Sequence, residues 1–353
     1  MIYKKTSLLE LLGFRLADNI KKKRGSILII ALWSLCLLSI FAVVLGSGVR
    51  QKISLAHRID ERSKLRLIAE AGVKRAITEL RKASEDTPDS LSDNWRNSKS
   101  IFKKVRVGEG TFSVSYEYFN DDTKVTELRY GIVDEESKIN INTASSAVLR
   151  RLFRIIFEFD ATGAQELAAS IIDWRDSDSE LSIPLGSAED RDYRNSQFPY
   201  EAKDAEFEVV EELLLVNGMT VDLFERLKNY ITIYGSGNIN INTASSGILS
   251  VLGLRKYIVD RIILFRQGDD GITGTNDDNI FDAVSSIVPV LSGIFEFSES
   301  EIAELNAISD QNLTTNSSNF TIESTARLEN KKGKHQVRCV VDERGKILYW
   351  REL

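Results

Sequence analysis

Two stretches of this chain gather oxygen-bearing side chains densely enough to hold a cation. The first runs through Asp173, Asp176, Asp178 and Glu180 and resumes at Glu189, Asp190 and Asp192. The second is Asp269-Asp270-Gly271-Ile272-Thr273-Gly274-Thr275-Asn276-Asp277-Asp278. A hard cation such as calcium takes about six to eight oxygens from carboxylates, amides and backbone carbonyls, and glycines let a loop close around it. Neither stretch keeps the EF-hand spacing, with its glycine midway and glutamate at the end. A metal loop and a solvated acidic turn both fit either stretch.

Other chemistries have less to stand on. His57 and His335 are isolated and are expected at the surface. The chain lacks Gly-x-Ser-x-Gly, His-Glu-x-x-His and a phosphate-cradling glycine loop, so no catalytic residues are assigned and no enzyme is expected. With 353 residues, 42% hydrophobic and 28% charged, the chain can bury a sizeable core. Two cysteines, Cys36 and Cys339, exclude a disulfide scaffold.

The elements that must carry these loops begin with an asymmetric N-terminus. Residues 1–25 carry a net charge of +5, with Lys21, Lys22, Lys23 and Arg24 adjacent, which leaves −11 on the remainder. Residues 26–49 hold no charge at all. As a helix they would span about 36 Å, one bilayer crossing, and the positive-inside rule keeps residues 1–25 in the cytoplasm. The run is too long for a secretory signal peptide, and Gly46-Ser47-Gly48 is a weak cut site; a plain signal anchor fits its length. Val49, Ile53, Ala56, Ile59, Leu65, Ile68, Gly72, Ala76 and Leu80 then recur every three or four residues, which predicts one helix over 26–83.

A basic leader ending in Arg24-Gly25, an uncharged helix, and an amphipathic continuation with Ala69-Glu70-Ala71-Gly72 resemble the type IV pilins and the pseudopilins of type II secretion. The resemblance implies a prepilin peptidase that cuts after Gly25 and methylates Ser26. Most of that superfamily carries glutamate at the fifth mature position, where this chain has Ile30. A carboxylate at bilayer depth is kept only where a partner compensates for it. Its lack is similar to the largest minor pseudopilins, the protein K family, which sit at the filament tip.

Beyond a polar loop over 84–100, Phe112, Val114, Tyr116 and Tyr118 alternate, as do Leu128, Tyr130 and Ile132 after Asn120-Asp121-Asp122, which predicts an antiparallel hairpin. Three more strands are expected around Phe320–Ser324, His335–Val341 and Ile347–Trp350, with turns near Asn330 and Asp342. Between them, over 136–312, the periodicity is mostly helical. The expected architecture is therefore α+β: a pilin-like fold, with a long helix on an antiparallel sheet (100–135 and 320–353), interrupted by a large inserted all-α domain.

Within the insertion, Ile139-Asn140-Ile141-Asn142-Thr143-Ala144-Ser145-Ser146 recurs as Ile239-Asn240-Ile241-Asn242-Thr243-Ala244-Ser245-Ser246. Asn142 or Thr143 is expected to cap the following helix, so a duplicated helix start accounts for the repeat. The segment also resembles the helix-hairpin-helix modules of ComEA, a membrane-anchored DNA receptor. The candidate hairpin, Val216-Asn217-Gly218-Met219, lacks a second glycine and follows Glu211-Glu212. DNA affinity rests on Lys and Arg displacing counterions, so no nucleic acid is expected on an acidic body.

The protein K family also carries an inserted helical domain with the Asn-x-Asn-Thr-Ala segment twice, a segment like Ile172-Asp173-Trp174-Arg175-Asp176-Ser177-Asp178, and a Trp near the end, here Trp350. The resemblance implies calcium in the insertion, for which Asp270, Thr275, Asp277 and Asp278 are the favoured ligands and Asp173, Asp176 and Asp178 a second candidate loop. It implies minor pseudopilins I and J as partners, packed through faces such as Ile53, Ile68 and Ala76. The implied location is the bacterial inner membrane, crossed once, with the C-terminal domain in the periplasm.

Overall fold

The computed structural model describes residues 8–82, 87–120, 125–184, 186–195, 198–329 and 331–353, with side chains from Ser26 onward except that of Asn120. Asp86, the Asp121-Asp122 turn and Asn330 lie outside the described residues. The chain divides into two units, Met1–Lys64 and Leu65–Leu353.

Helix α1 (Leu8–Leu80) starts earlier than expected, inside the basic leader. In the first unit its large apolar side chains from Ile27 to Ile59 are exposed. Its hydroxyls turn back onto the helix, Ser39 Oγ donating to the Leu35 carbonyl and Ser47 Oγ to that of Val44, both at 2.8 Å. Bonds of this kind suit a bilayer, which offers a polar atom no other partner. Among the described residues this is one helix long and apolar enough to cross a membrane.

In the second unit α1 changes partner. Leu65, Ile68, Ala69, Val73, Ala76 and Leu80 form a buried stripe at helical spacing. The stripe packs on Phe112, Val114, Phe320, Ile322, Val337, Cys339 and Val341 of a sheet. Gly72 permits the close approach, because a Cβ there would overlap the Ser324 hydroxyl and stand 2.9 Å from Phe112 Cδ2.

After the short α2 (Lys99–Phe102) come β1 (Val105–Val107), β2 (Gly110–Val114), β3 (Tyr116–Asn120), β4 (Val125–Arg129) and β5 (Val133–Asp134). The expected hairpin is divided. Phe112 and Val114 belong to the main sheet, whereas β3 and β4 pair only with each other. The Ser115 amide makes a last bond to the Glu323 carbonyl, 3.0 Å, before the chain leaves the sheet.

The insertion follows β5. It runs β6 (Ile139–Asn140), α3 (Ser146–Ile155), α4 (Ala161–Arg175), α5 (Asp190–Arg194), α6 (Val221–Leu227) and β7 (Ile231–Thr232), then β8 (Ile239–Asn240), α7 (Ser246–Leu252), α8 (Lys256–Arg266), α9 (Ile287–Ile294), α10 (Glu299–Asn312) and β9 (Leu313–Thr314). It is helical apart from two short parallel pairs, β6 with β7 and β8 with β9. Helix α9 escapes a periodicity reading because of Pro289, which sits in the first turn, where its missing N–H costs nothing. The insertion has its own apolar core, from Ile139 to Leu313.

The chain then closes the sheet with β10 (Asn319–Leu328), β11 (Lys334–Asp342) and β12 (Ile347–Glu352). The order is β1-β2-β10-β11-β12, with β5 beside β10 and all pairs antiparallel. The fold is thus α+β, a long N-terminal helix followed by an antiparallel sheet that a helical insert interrupts.

Candidate functional site

The repeated octapeptide builds the same scaffold twice. Asn140 and Asn240 each accept from the amide two residues on, at 2.9 Å, which turns the chain out of its parallel pair. Asn142 and Asn242 each clamp a distant backbone. Asn142 takes the Phe207 amide at 2.8 Å and donates to its carbonyl at 3.0 Å, and Asn242 does the same to Phe281 at 2.9 and 3.1 Å. The expected cap is corrected here. Ser145 and Ser245 cap the two helices, accepting from Val148 and Ile248 at 3.3 Å, because the second Asn of each repeat is spent on the clamp. Thr243 bonds the Asp134 carboxylate instead.

An arginine closes each copy. Arg175, ending α4, donates to the carbonyls of Ile141 and Ala144, and Arg266, ending α8, donates to that of Ala244 at 2.6 Å. Past Asp173, which lies on α4 itself, the first acidic stretch falls between Arg175 and Phe207, and the second falls between Arg266 and Phe281. The two are therefore topological equivalents, a relation that differing loop lengths hide in the sequence.

Their electrostatics differ. In the second loop every favoured ligand is engaged within the loop. Asp277 accepts from the amides of Asp269 (2.9 Å) and Asp270 (3.0 Å) and from the Thr275 hydroxyl (2.7 Å). Asp278 accepts from the amides of Gly274 (2.7 Å) and Thr275 (3.2 Å), and Asp270 from that of Ile272 (2.7 Å). The Thr275 hydroxyl and then the backbone amides hold the exposed Asp277 carboxyl below its ordinary range.

The first stretch holds unmet charge. Asp173 is wholly buried and accepts the Ser182 amide at 3.1–3.2 Å, so the solvated-turn reading fails for this member of the stretch. Trp174 itself packs in the core, edge-on to Tyr193 at 5.3 Å. Glu189 is buried, with the Asp190 amide near its carboxylate but short of full hydrogen-bond geometry, and among the described residues Asp176 Oδ1 has no donor. Burial, and then the charge of Asp173, lift Glu189 to about 7. Burial, then Asp178 and Asp173, also raise Asp176. Asp178 is exposed and accepts the Glu180 amide at 2.9 Å. Arg175, the adjacent cation, is turned away to the repeat carbonyls.

Buried carboxylate oxygens without donors are costly, and a hard cation is what their chemistry would accept. The donor set around Asp173, Asp176 and Glu189 fits calcium in kind. Among the described residues, however, no three His, Cys, Asp or Glu side chains stand close enough together to hold a metal ion. The strongest signal for Glu189 in the sequence is its place in the same acidic stretch.

The remaining expected positions separate. Gly25 lies in α1 and is described by backbone alone, while Ser26 and Ile30 are exposed on that helix. Ile53 is 51% exposed. Ile68 and Ala76 correct the expected partner face, since both are buried against the chain's own sheet and are unavailable to a second helix. His57 is exposed, but His335 is buried, with Nε2 3.5 Å from Glu352 Oε2. The Gly218 hairpin forms between a 3-10 turn (Val210–Leu215) and α6, with Gly218 at φ +84°. Its flanking acids are ion-paired, Glu212 to Lys203 at 2.8 Å and Glu211 to Arg351 at 2.7 Å. The lysine and arginine there are thus engaged by acids, and the DNA-receptor alternative gains no support.

Residues 126–236, which contain the first repeat copy and the first acidic stretch, match the family model for type II secretion system (T2SS), protein K. No curated protein matches the chain. Among solved structures, the chain is similar to one in the crystal structure of the GspK-GspI-GspJ complex from the enterotoxigenic Escherichia coli type 2 secretion system. The identity is 16%, the match covers 84% of this chain and 99% of that one, and the TM-score is 0.63. At that identity the likeness speaks for the fold.

Proposed function

We infer that this chain is a minor pseudopilin of the type II secretion system, of the protein K kind. One observation carries the inference: a protein K domain match over residues 126–236 lies inside a fold that mounts a helical insert on a helix-and-sheet frame. The work of such a subunit is mechanical. An exposed apolar helix from Ile27 to Ile59 anchors it by a single pass and offers a surface for packing. The sheet grips the same helix through Leu65 to Leu80.

In this reading the chain is inserted with its leader in the cytoplasm, cut after Gly25 and methylated at Ser26, with its body in the periplasm. Its partners are minor pseudopilins I and J. It starts the filament at the tip, where Ile30 needs no compensating neighbour and the broad insertion prevents further stacking, and so supports export across the outer membrane.

Calcium is the proposed cofactor. Asp173, Asp176 and Glu189 would hold it, and it would supply the positive charge that the unmet oxygens of Glu189 and Asp176 call for. Asp270, Thr275, Asp277 and Asp278 are the weaker candidates, because their oxygens already serve their own loop.

The test is the mass of the membrane-extracted chain coexpressed with a prepilin peptidase and the I and J subunits, with Gly25→Val as control. A methylated N-terminus at Ser26, lost in the control, together with copurification of I and J, is expected. An intact leader and no partner capture would leave a simple signal anchor.

A further inference from the structure

The insertion leaves the sheet through residues 134–137 and returns through 315–319, and the two crossings meet the loop that follows α1. The Asp89 amide donates to the Thr315 carbonyl at 3.1 Å, and Asp89 Oδ2 accepts the Ser317 amide at 2.7 Å. Asp134 accepts the Glu136 amide at 2.8 Å, the Thr243 hydroxyl of the second repeat copy, and the Ser317 hydroxyl. Ser317 Oγ is itself held by Asn240 Nδ2 at 2.8 Å. Glu136 accepts the Asn319 amide at 3.1 Å and its side-chain Nδ2 at 3.0 Å. Three carboxyl groups thus join the post-helix loop, both crossings and the second repeat copy.

Their surroundings are short of positive charge. Asp134 is wholly buried and Glu136 nearly so. Arg96 faces Asp134, while Asp93 and Glu343 stand near Asp89. Lys138 is committed to Glu135 at 2.6 Å. Carboxyls that share a buried network with too few cations cannot all ionise at once.

We propose that Asp89, Asp134 and Glu136 form a proton-dependent latch that fastens the insertion to the sheet while it holds protons and loosens as they leave. Burial, and then the charge of Asp134, put Asp89 at about 7 and Glu136 at about 8, and burial raises Asp134 as well. Once exposed, the same groups ionise in the ordinary range near pH 4. The stabilisation is therefore complete below about pH 4, falls as the pH rises through the folded values, and is flat above them.

Hydrogen–deuterium exchange of the full chain in detergent, from pH 5 to 9, tests this. After correction for intrinsic rates, peptides covering 134–137 and 315–319 should open about tenfold faster per pH unit for each retained proton up to pH 7. The rate should level off above about pH 8, and peptides from the β10–β11 ladder should show no such slope. The isosteric pair Asp89→Asn and Glu136→Gln should flatten the seam profile. Seam peptides that follow the ladder peptides at every pH would overturn the latch, as would an unchanged slope in the variant. Should the variant not fold, the native profile decides alone.

Discussion

A Cβ on Gly72 of α1 would stand 2.9 Å from the Phe112 Cδ2 of β2, and the Ser324 hydroxyl of β10 lies closer still. Helix and sheet are in contact at the distance only glycine allows. Alanine improves helix propensity by about 1 kcal/mol, but overpacking a fixed sheet costs about 1–3 kcal/mol. Gly72→Ala is therefore expected to lower the thermal midpoint. Ser324→Ala removes a buried hydroxyl that has no partner, so it should be neutral or stabilising alone and should recover part of the loss in the double variant. Calorimetry of the four chains decides this, and additive losses would show that the two sites do not share space.

The paired clamps make a second prediction. Asn242→Ala strips both backbone bonds from the wholly buried Phe281, leaving an amide and a carbonyl unmet at about 1–3 kcal/mol each. Asn142→Ala does the same to Phe207 in the other copy. Both variants should lower the urea midpoint by comparable amounts. Ser245→Ala, which removes only a cap, should cost about 1 kcal/mol. A clamp variant no worse than the cap variant would mean that the repeat is only a duplicated helix start.

The sequence made the frame legible because periodicity reports burial on regular elements. The stripe from Leu65 to Leu80 and the strands around Phe320, Val337 and Trp350 lie where alternation and helical spacing put them. It misled where one side chain has two available roles. Asn142 looks like a cap, but the cap is three residues later. Ile68 and Ala76 look like a docking face until their own sheet covers them. Asp270, Asp277 and Asp278 stand out as ligands because density on a glycine-rich loop is visible in one dimension, whereas their bonds within that loop are not. The isolation of Glu189 is not visible, since it depends on which amides fail to reach it. Asp89 lies far in the chain from Asp134 and Glu136, and the three meet only where the two crossings reach the loop after α1.

Acid should act on a different pair. Burial opposes ionisation of Glu135, but the Lys138 ammonium 2.6 Å away outweighs it and draws the carboxyl below its ordinary value. With a depressed folded value, the contribution of Glu135 is present above about pH 4.5 and is lost as the pH falls through the folded value. Lys138→Met should strand a buried charge, cost about 3–5 kcal/mol at neutral pH, and recover as acid neutralises Glu135. Adding Glu135→Gln should restore most of that stability. Urea midpoints at pH 4 and pH 7 measure both effects, and a penalty that does not shrink in acid would show that packing of the lysine stem, and not charge, was lost.

Calcium should act through the first acidic loop and not through the second. In the first, the buried oxygens of Glu189 and Asp176 are short of donors and face the charge of Asp173, so without metal their charges destabilise the fold. Glu189→Gln and Asp176→Asn are therefore expected to raise the thermal midpoint in EDTA and to abolish any rise on adding calcium. The native chain should gain about 2.7 kcal/mol at a calcium concentration a hundredfold above its dissociation constant. In the second loop the Asp277 carboxylate already holds two amides and the Thr275 hydroxyl. Asp277→Asn should lower the midpoint equally with and without calcium, because it breaks the loop and not a metal site. If calcium protects the native and Glu189→Gln chains alike but not Asp277→Asn, the cation belongs to the second loop, and the unmet oxygens of the first have another explanation.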